Sequence, residues 1–427
     1  MSSYPRGLQV EVTNTCNLDC VMCVRRTWRG VRFQHMDPEI YRRLVDESAG
    51  RLERLALYGF GEPLANPRIV EMARYARERL GDTFIHLVTN GTLFSGHVAR
   101  ELLSTLDQVA FSIDSFRAAR LAAIRRGAGS YDVMANLEAA ARSEDRRARV
   151  GVAVVVMKAN YRELPEMVRE AGEMGVDFMV FSHLVPYVEA LGGQAVYALV
   201  SREAVALAEK MGEEIVELGH RAVYEMLGEI YSKYGGSARG GAYEKYMRIW
   251  RSLESRGYGL NEDLLFDALK RKELLDEVEE KLREAEEVAA EYGVELDAPG
   301  VYADSTRRSC PYIDTDTAMV LASGEVVPCM DFAYTHTLYV NMHLKTIRRV
   351  SFGNLRESSM EEIWNSPRYR SFREVRRNFS RNVPWCSDCP FSTRHCWYTV
   401  ENVYDCYGNE AGCNECIYST GLAKCII

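Results

Sequence analysis

Along the first 186 residues, short apolar runs with strand-like texture alternate with longer stretches whose apolar residues recur three and four apart. The strand-like runs fall at 8–12, 54–60, 83–89, 108–113, 150–157 and 178–184. Helical spacing covers 37–48, 66–80, 96–106, 132–141 and 161–174. The first helix opens Asp37-Pro38-Glu39, a capping residue followed by proline at the first helical position and an early acid. Strands that alternate with helices imply a parallel sheet with right-handed crossovers. Six such units suit an α/β fold of partial (β/α)6, TIM-like barrel type. In parallel barrels the functional groups gather at the carboxyl ends of the strands.

The texture changes after residue 186. Residues 187–305 carry amphipathic helical patterns at 201–218, 222–233, 243–255 and 261–292, with a glycine-rich break at 235–241. The last helix is densely charged, as a solvated face laced with i,i+4 pairs would be. This stretch has no cysteine and one histidine, His220. It reads as a helical insertion that caps the barrel mouth or docks a protein, or equally as a plain helical bundle. Residues 306–427 are rich in cysteine and mix strand and helix signals; 318–329 reads as a β-hairpin turning at Ser323-Gly324. The expected domains are therefore 1–186, 187–305 and 306–427.

The predicted strand ends carry the candidate chemistry. The first runs into Cys16, Cys20 and Cys23, three thiols close enough in sequence to share one metal centre. A structural zinc ion wants four ligands, and the next cysteine is Cys310. A [4Fe–4S] cluster held by three cysteines keeps one iron without a protein ligand, where a small molecule with amine and carboxylate groups can bind. Buried structural cysteines or a partial zinc knuckle are the plainer alternative. The second end reads Tyr58-Gly59-Phe60-Gly61-Glu62-Pro63, the third Thr89-Asn90-Gly91, the fourth Ser112-Ile113-Asp114-Ser115. Strand alternation puts Ser112 and Asp114 on one face, although an Asx turn also explains them. The sixth end presents His183, as a ligand contact or a structural residue.

These residues resemble the signature of radical S-adenosylmethionine (SAM) enzymes. The resemblance implies that the open iron chelates SAM and that the reduced cluster cleaves it. It further implies that Gly59, Gly61 and Glu62 belong to the element holding SAM's amino group, that Ser112 and Asp114 hydrogen-bond the ribose, and that Met22 packs on the adenine. Phe60 departs from the usual glycine. Asn90 sits at a strand end common in this superfamily, and His183 is placed to face SAM or the substrate.

The C-terminal cysteines are Cys310, Cys329, Cys386, Cys389, Cys396, Cys406, Cys413, Cys416 and Cys425. Such spacings suit metal sites. Eight thiolates would fill two four-cysteine [4Fe–4S] clusters with one left over; four-cysteine zinc sites compete, and disulfides come third. The Cys-x13-Gly-x4-Cys piece and the stretch through Met360-Glu361-Glu362-Ile363-Trp364 resemble the SPASM domain of radical SAM enzymes that modify peptides and proteins. The expected partition puts Cys310, Cys329 and Cys406 on a nearer cluster and Cys386, Cys389 and Cys396 on a farther one, with the last three cysteines completing one or both. Cys310-Pro311-Tyr312-Ile313-Asp314, Trp364-Asn365-Ser366-Pro367-Arg368-Tyr369 and Asp405-Cys406-Tyr407-Gly408-Asn409 resemble one subfamily more closely. It is the maturases of tungsten-containing aldehyde oxidoreductases.

Composition narrows the setting. The chain has 427 residues, 47% hydrophobic and 27% charged, as soluble globular proteins do. A formal net charge of −8 argues against a nucleic-acid partner. The opening residues lack a signal-peptide pattern and no run is long enough to span a membrane, so a cytoplasmic protein is expected. Twelve cysteines in a reducing compartment bind metal more often than they pair, hyperthermophiles excepted. The resulting expectation is an enzyme that makes a 5′-deoxyadenosyl radical from SAM and takes hydrogen from a peptide, protein or metallopterin-type substrate, fed by a ferredoxin-like or flavodoxin-like donor. No catalytic acid or base stands out among 24 tyrosines and several cysteines. The alternative is a non-catalytic iron–sulfur or zinc-binding scaffold or electron carrier.

Overall fold

A computed structural model describes residues 3–211 and 241–425. The predicted helix at 222–233, His220 and most of the glycine-rich break lie outside the described residues. Among the described residues, no helix is long and apolar enough to cross a membrane.

The alternating units form as the pattern predicts. Strands β1 (Gly7–Val10), β2 (Arg54–Ala56), β3 (Phe84–Thr89), β4 (Gln108–Ser112), β5 (Arg149–Val156) and β6 (Phe178–His183) pair in sequence order, every pair parallel. Buried Val150, Val152, Val154 and Val156 alternate along β5 with partners on neighbouring strands. Helices Pro38–Ser48, Ile69–Leu80, Gly96–Thr105, Val133–Ala141 and Leu164–Met174 stand between the strands. Asp37 caps the first by accepting from the Glu39 amide at 3.0 Å, with Pro38 at the first helical position. A short helix, Ala118–Ile124, follows β4. The sequence pattern does not announce it, because seven mostly small residues make too little periodic signal.

The sheet runs past the expected domain boundaries on both sides. β7 (Glu295–Asp297), from the end of the supposed helical insertion, adds to β6 in parallel. β8 (Thr317–Val320) adds to β1 in parallel, from Gly7 opposite Thr317 to Val10 opposite Val320. β9 (Glu325–Val327) returns antiparallel to β8, confirming the hairpin, and Gly324 at its turn has φ +88°, where glycine carries no Cβ penalty. The C-terminal region is thus welded to the edge of the barrel sheet. The helical stretch expected at 261–292 is two helices, Glu262–Lys270 and Lys272–Tyr292. Arg271 makes the break: its guanidinium bonds Asp267 and the carbonyls of Ala195 and Tyr197, tying the joint to the loop beneath. Lys272–Tyr292 packs on Leu164–Met174, where Gly172 leaves room for the Tyr292 ring.

Candidate functional site

After β1 the chain turns into the loop bearing Cys16, Cys20 and Cys23. The loop is held by backbone bonds to the end of the Ala118–Ile124 helix, from the Asp19 amide to Arg126 O at 3.0 Å and from the Val21 amide to Ile124 O at 2.9 Å. Asn14 fixes its start, accepting from the Gln34 amide at 2.7 Å. The second strand end lies directly against it. The Glu62 amide donates to Thr15 O at 2.7 Å, and a Cβ on Gly61 would fall 2.2 Å from Thr13 O and 2.6 Å from Thr15 O. Both obstacles are backbone. Gly61→Ala is therefore expected to cost about 1–3 kcal/mol and to lower iron loading at the first cysteine trio; the urea midpoint and iron per chain check this.

The Glu62 carboxylate is buried and fully engaged. It accepts from the Leu64 amide at 3.1 Å, Thr89 Oγ1 at 2.7 Å and the Asn90 amide at 2.6 Å. Burial raises its pKa, against the pull of these donors. Glu62 is thus a strut between the second and third strand ends. Asn90 extends from the same joint, its Nδ2 3.8 Å from Cys16 Sγ and 2.9 Å from Asn17 Oδ1. Gly59 makes room for the buried Glu11, whose Cγ would lie 2.5 Å from an added Cβ. Glu11 accepts from the Phe60 and Ala322 amides, each at 3.2 Å, and from Tyr334 Oη. Burial lifts its pKa to about 7. Phe60, the departure from glycine, packs with Trp28 and Tyr334, ring centroids 5.6 Å and 6.2 Å away.

A cavity of about 280 Å³ opens beside this joint. Its wall includes Met22, Cys23, Phe60, Ser112, Arg125 and His183 from the barrel, and Cys310, Cys329, Cys416 and Cys425 from the C-terminal region. Asp114, expected to share the ligand-facing side with Ser112, is not on that wall. It is fully buried, accepts from the Val155 amide at 2.9 Å and pairs with Arg125, Oδ2 to Nε 2.8 Å. The cause is position: β4 ends at Ser112, so strand alternation no longer governs residue 114. Arg125 is the residue that sequence reasoning missed. Burial works against its charge, but Asp114 and Cys20 more than offset that, so the guanidinium stays protonated at the cavity wall. Its signal was faint, since nothing local distinguishes the buried Arg125 from its neighbour Arg126. His183 is buried, with Nε2 2.9 Å from Gly300 O and its ring 5.2 Å from that of Tyr197. Burial lowers its pKa to about 4, so it is neutral at pH 7.

All twelve cysteines are free thiols. Among the described residues no three His, Cys, Asp or Glu side chains are close enough to hold a single metal ion. The thiols nonetheless fall into three neighbourhoods. Burial raises the Cys20 and Cys23 pKa values, and Cys16 is close enough to each to add to the rise. Cys310, Cys329, Cys413 and Cys416 line one small cavity of about 40 Å³. Burial pushes Cys329 and Cys416 well up, with Cys310 and Cys413 adding to both. Burial and Cys389 likewise act on Cys386, and burial, Asp405, Cys389 and Cys396 on the exposed Cys406. Cys406 is thus within electrostatic reach of Cys389 and Cys396, and Cys413 and Cys416, not the expected Cys406, line the small cavity with Cys310 and Cys329. Cys425 is absent from the small cavity and faces the large one. Sets of soft thiols in this number fit iron–sulfur clusters.

Comparison with protein families matches residues 10–171 to the radical SAM superfamily and 310–390 to the SPASM iron–sulfur cluster-binding domain. The chain therefore carries a radical SAM domain and a SPASM domain. The tungsten-containing aldehyde ferredoxin oxidoreductase cofactor-modifying protein of Pyrococcus furiosus is 27% identical over 427 residues, 98% of this chain and 97% of that protein. The AdoMet-dependent heme synthase of Methanosarcina barkeri is 29% identical over 189 residues, 44% of this chain and 52% of that one. SuiB of Streptococcus suis, in a crystal structure bound to S-adenosylmethionine, shares the fold with a TM-score of 0.51 at 12% identity, over 87% of this chain and 68% of its own. The cofactors of the radical SAM chain are accordingly iron–sulfur clusters and SAM. The first cysteine trio and the strand ends lie in the superfamily match, and Cys310, Cys329, Cys386 and Cys389 lie in the SPASM match.

Proposed function

We propose that this radical SAM enzyme is a maturase, taking a hydrogen atom from a peptide, protein or metallopterin-type substrate during assembly of a tungsten-type oxidoreductase. The observation that carries the reading is the shared cavity. Its lining joins Cys23, Met22, Ser112 and Arg125 of the barrel to Cys310, Cys329 and Cys416 of the C-terminal region. A substrate in this cavity would meet both the radical and an electron sink. The near-full-length similarity to the Pyrococcus furiosus cofactor-modifying protein supports the biological setting.

In this reading Cys16, Cys20 and Cys23 hold the SAM cluster. Cys310, Cys329, Cys413 and Cys416 hold a near auxiliary cluster, and Cys386, Cys389, Cys396 and Cys406 a far one. The clusters supply single electrons. When bound, SAM and its cluster would supply the radical chemistry, with the electron coming from a ferredoxin-like or flavodoxin-like donor. Cys310, Cys329 and Cys416 line the same cavity, so a cluster they held would be placed to accept the electron left on the substrate. Arg125, a cation on the cavity lining, would hold SAM's carboxylate through charge-assisted hydrogen bonds. Met22 and Phe60 would offer apolar surface to the adenine, and Ser112 a hydroxyl to the ribose. Gly59, Gly61, Glu62, Asn90 and Asp114 shape the cradle from behind, and neutral His183 closes its floor.

The test is direct. Protein purified without oxygen is expected to hold about twelve irons, four per cluster, and to form 5′-deoxyadenosine with SAM and dithionite. Zinc in place of iron, or full clusters without SAM cleavage, would return the chain to the scaffold reading.

A further inference from the structure

The loop Cys413-Asn414-Glu415-Cys416 faces two ways. Cys413 and Cys416 turn into the small cavity with Cys310 and Cys329. Asn414, between them, turns to the other cysteine set. Its carbonyl accepts from the Cys386 amide at 3.0 Å, and its Nδ2 donates to Cys386 Sγ at 3.0 Å and to Tyr398 O at 3.2 Å. A residue flanked by ligands of one site thus clasps a ligand of the other at both backbone and side chain.

The orientation of the Asn414 amide is dictated by its surroundings. Its Oδ1 lies 3.1 Å from Lys345 Nζ. An ammonium only donates, so the oxygen must face Lys345 and the NH2 must face the sulfur. Lys345 is held in turn by Glu415 Oε2 at 2.9 Å, both side chains 1% exposed. Glu415 Oε1 accepts from Asn341 Nδ2 at 2.7 Å, and Asn341 Oδ1 accepts from Ser387 Oγ at 2.7 Å. His343 Nε2 also reaches Glu415 Oε1, at 3.1 Å. Burying an ion pair costs desolvation that apolar packing would avoid. Here the pair is nearly neutral overall and its visible product is one amide aimed at one sulfur.

We propose that Asn414, locked by Lys345, is a positioning residue that raises the reduction potential of the far auxiliary cluster and ties it to the near one. Hydrogen bonds onto ligating sulfur stabilise the electron-rich reduced state. The Cys413–Asn414 peptide followed by the Nδ2–H···Sγ contact is also a short path between the two sites. The inference rests on the two-cluster reading above.

The experiment uses the full chain, reconstituted without oxygen, as wild type, Asn414→Ala and the isosteric Asn414→Asp. Iron and sulfide are measured, and each cluster's potential is followed by EPR during redox titration. Asn414→Ala is expected to keep about twelve irons and to make the far cluster harder to reduce by about tenfold in its equilibrium constant, ~59 mV for one electron. Asn414→Asp, with a carboxylate where the donor was, is expected to shift it further. The SAM-site cluster is expected not to move. An unchanged far-cluster potential in both variants overturns the proposal while leaving the two-cluster reading intact. A wild-type chain with only about eight irons and one auxiliary signal overturns both together. If Asn414→Asp cannot hold the far iron despite its unchanged shape, Asn414 is structural and the redox role falls.

Discussion

Cys20→Ala is expected to reduce 5′-deoxyadenosine formation to background and to remove about four of twelve irons, whereas Cys413→Ala is expected to retain measurable, uncoupled cleavage. The contrast follows from where the thiols stand. Cys20 belongs to a trio with no fourth protein ligand to spare, next to Arg125 at the cavity wall. Cys413 lines the small cavity, with Arg376 Nε 3.1 Å from its sulfur. Its loss should disturb the electron sink and leave the initiating site intact. Chromatographic quantification of 5′-deoxyadenosine, with iron counted on the same samples, decides the matter. Equal loss in both variants would end the division of labour between the two cysteine sets.

The second large effect is expected at Arg125. Arg125→Met leaves the Asp114 carboxylate buried without its cation, a change that costs about 3–5 kcal/mol. The same substitution removes the charge proposed to hold SAM's carboxylate. The two consequences separate in the double variant Arg125→Met/Asp114→Asn. It no longer buries an uncompensated charge, so most of the stability should return, while SAM affinity stays at least tenfold below wild type. Chemical denaturation and equilibrium SAM binding measure the two quantities independently. Full recovery of SAM affinity in the double variant would make Arg125 a purely structural partner of Asp114.

The legibility of this chain was uneven for physical reasons. The six barrel strands were readable because each is a short apolar run bounded by turns, and burial enforces that pattern. Cys16, Cys20 and Cys23 were readable because their spacing is itself chemical information. β7 and β8 were not assigned to the barrel, because pairing partners more than a hundred residues apart leave no local trace. Arg125 was hidden for a similar reason: its importance comes from Asp114 and the Cys20 loop folding over it. The grouping of Cys406 with Cys389 and Cys396 depends on how the loops between them double back, as when Tyr404 bridges Glu410, and spacing alone does not encode that.

The pairing of β8 with β1 also has a consequence for biosynthesis. Gly7 meets its partner Thr317 only after roughly 310 further residues have been made, which takes about 15–60 s at ordinary translation rates. Throughout that interval the first strand has an unclaimed edge, and unclaimed edges invite pairing with other chains. The same strand leads directly into the three thiols. A nascent chain therefore needs that edge shielded on a schedule set by the ribosome.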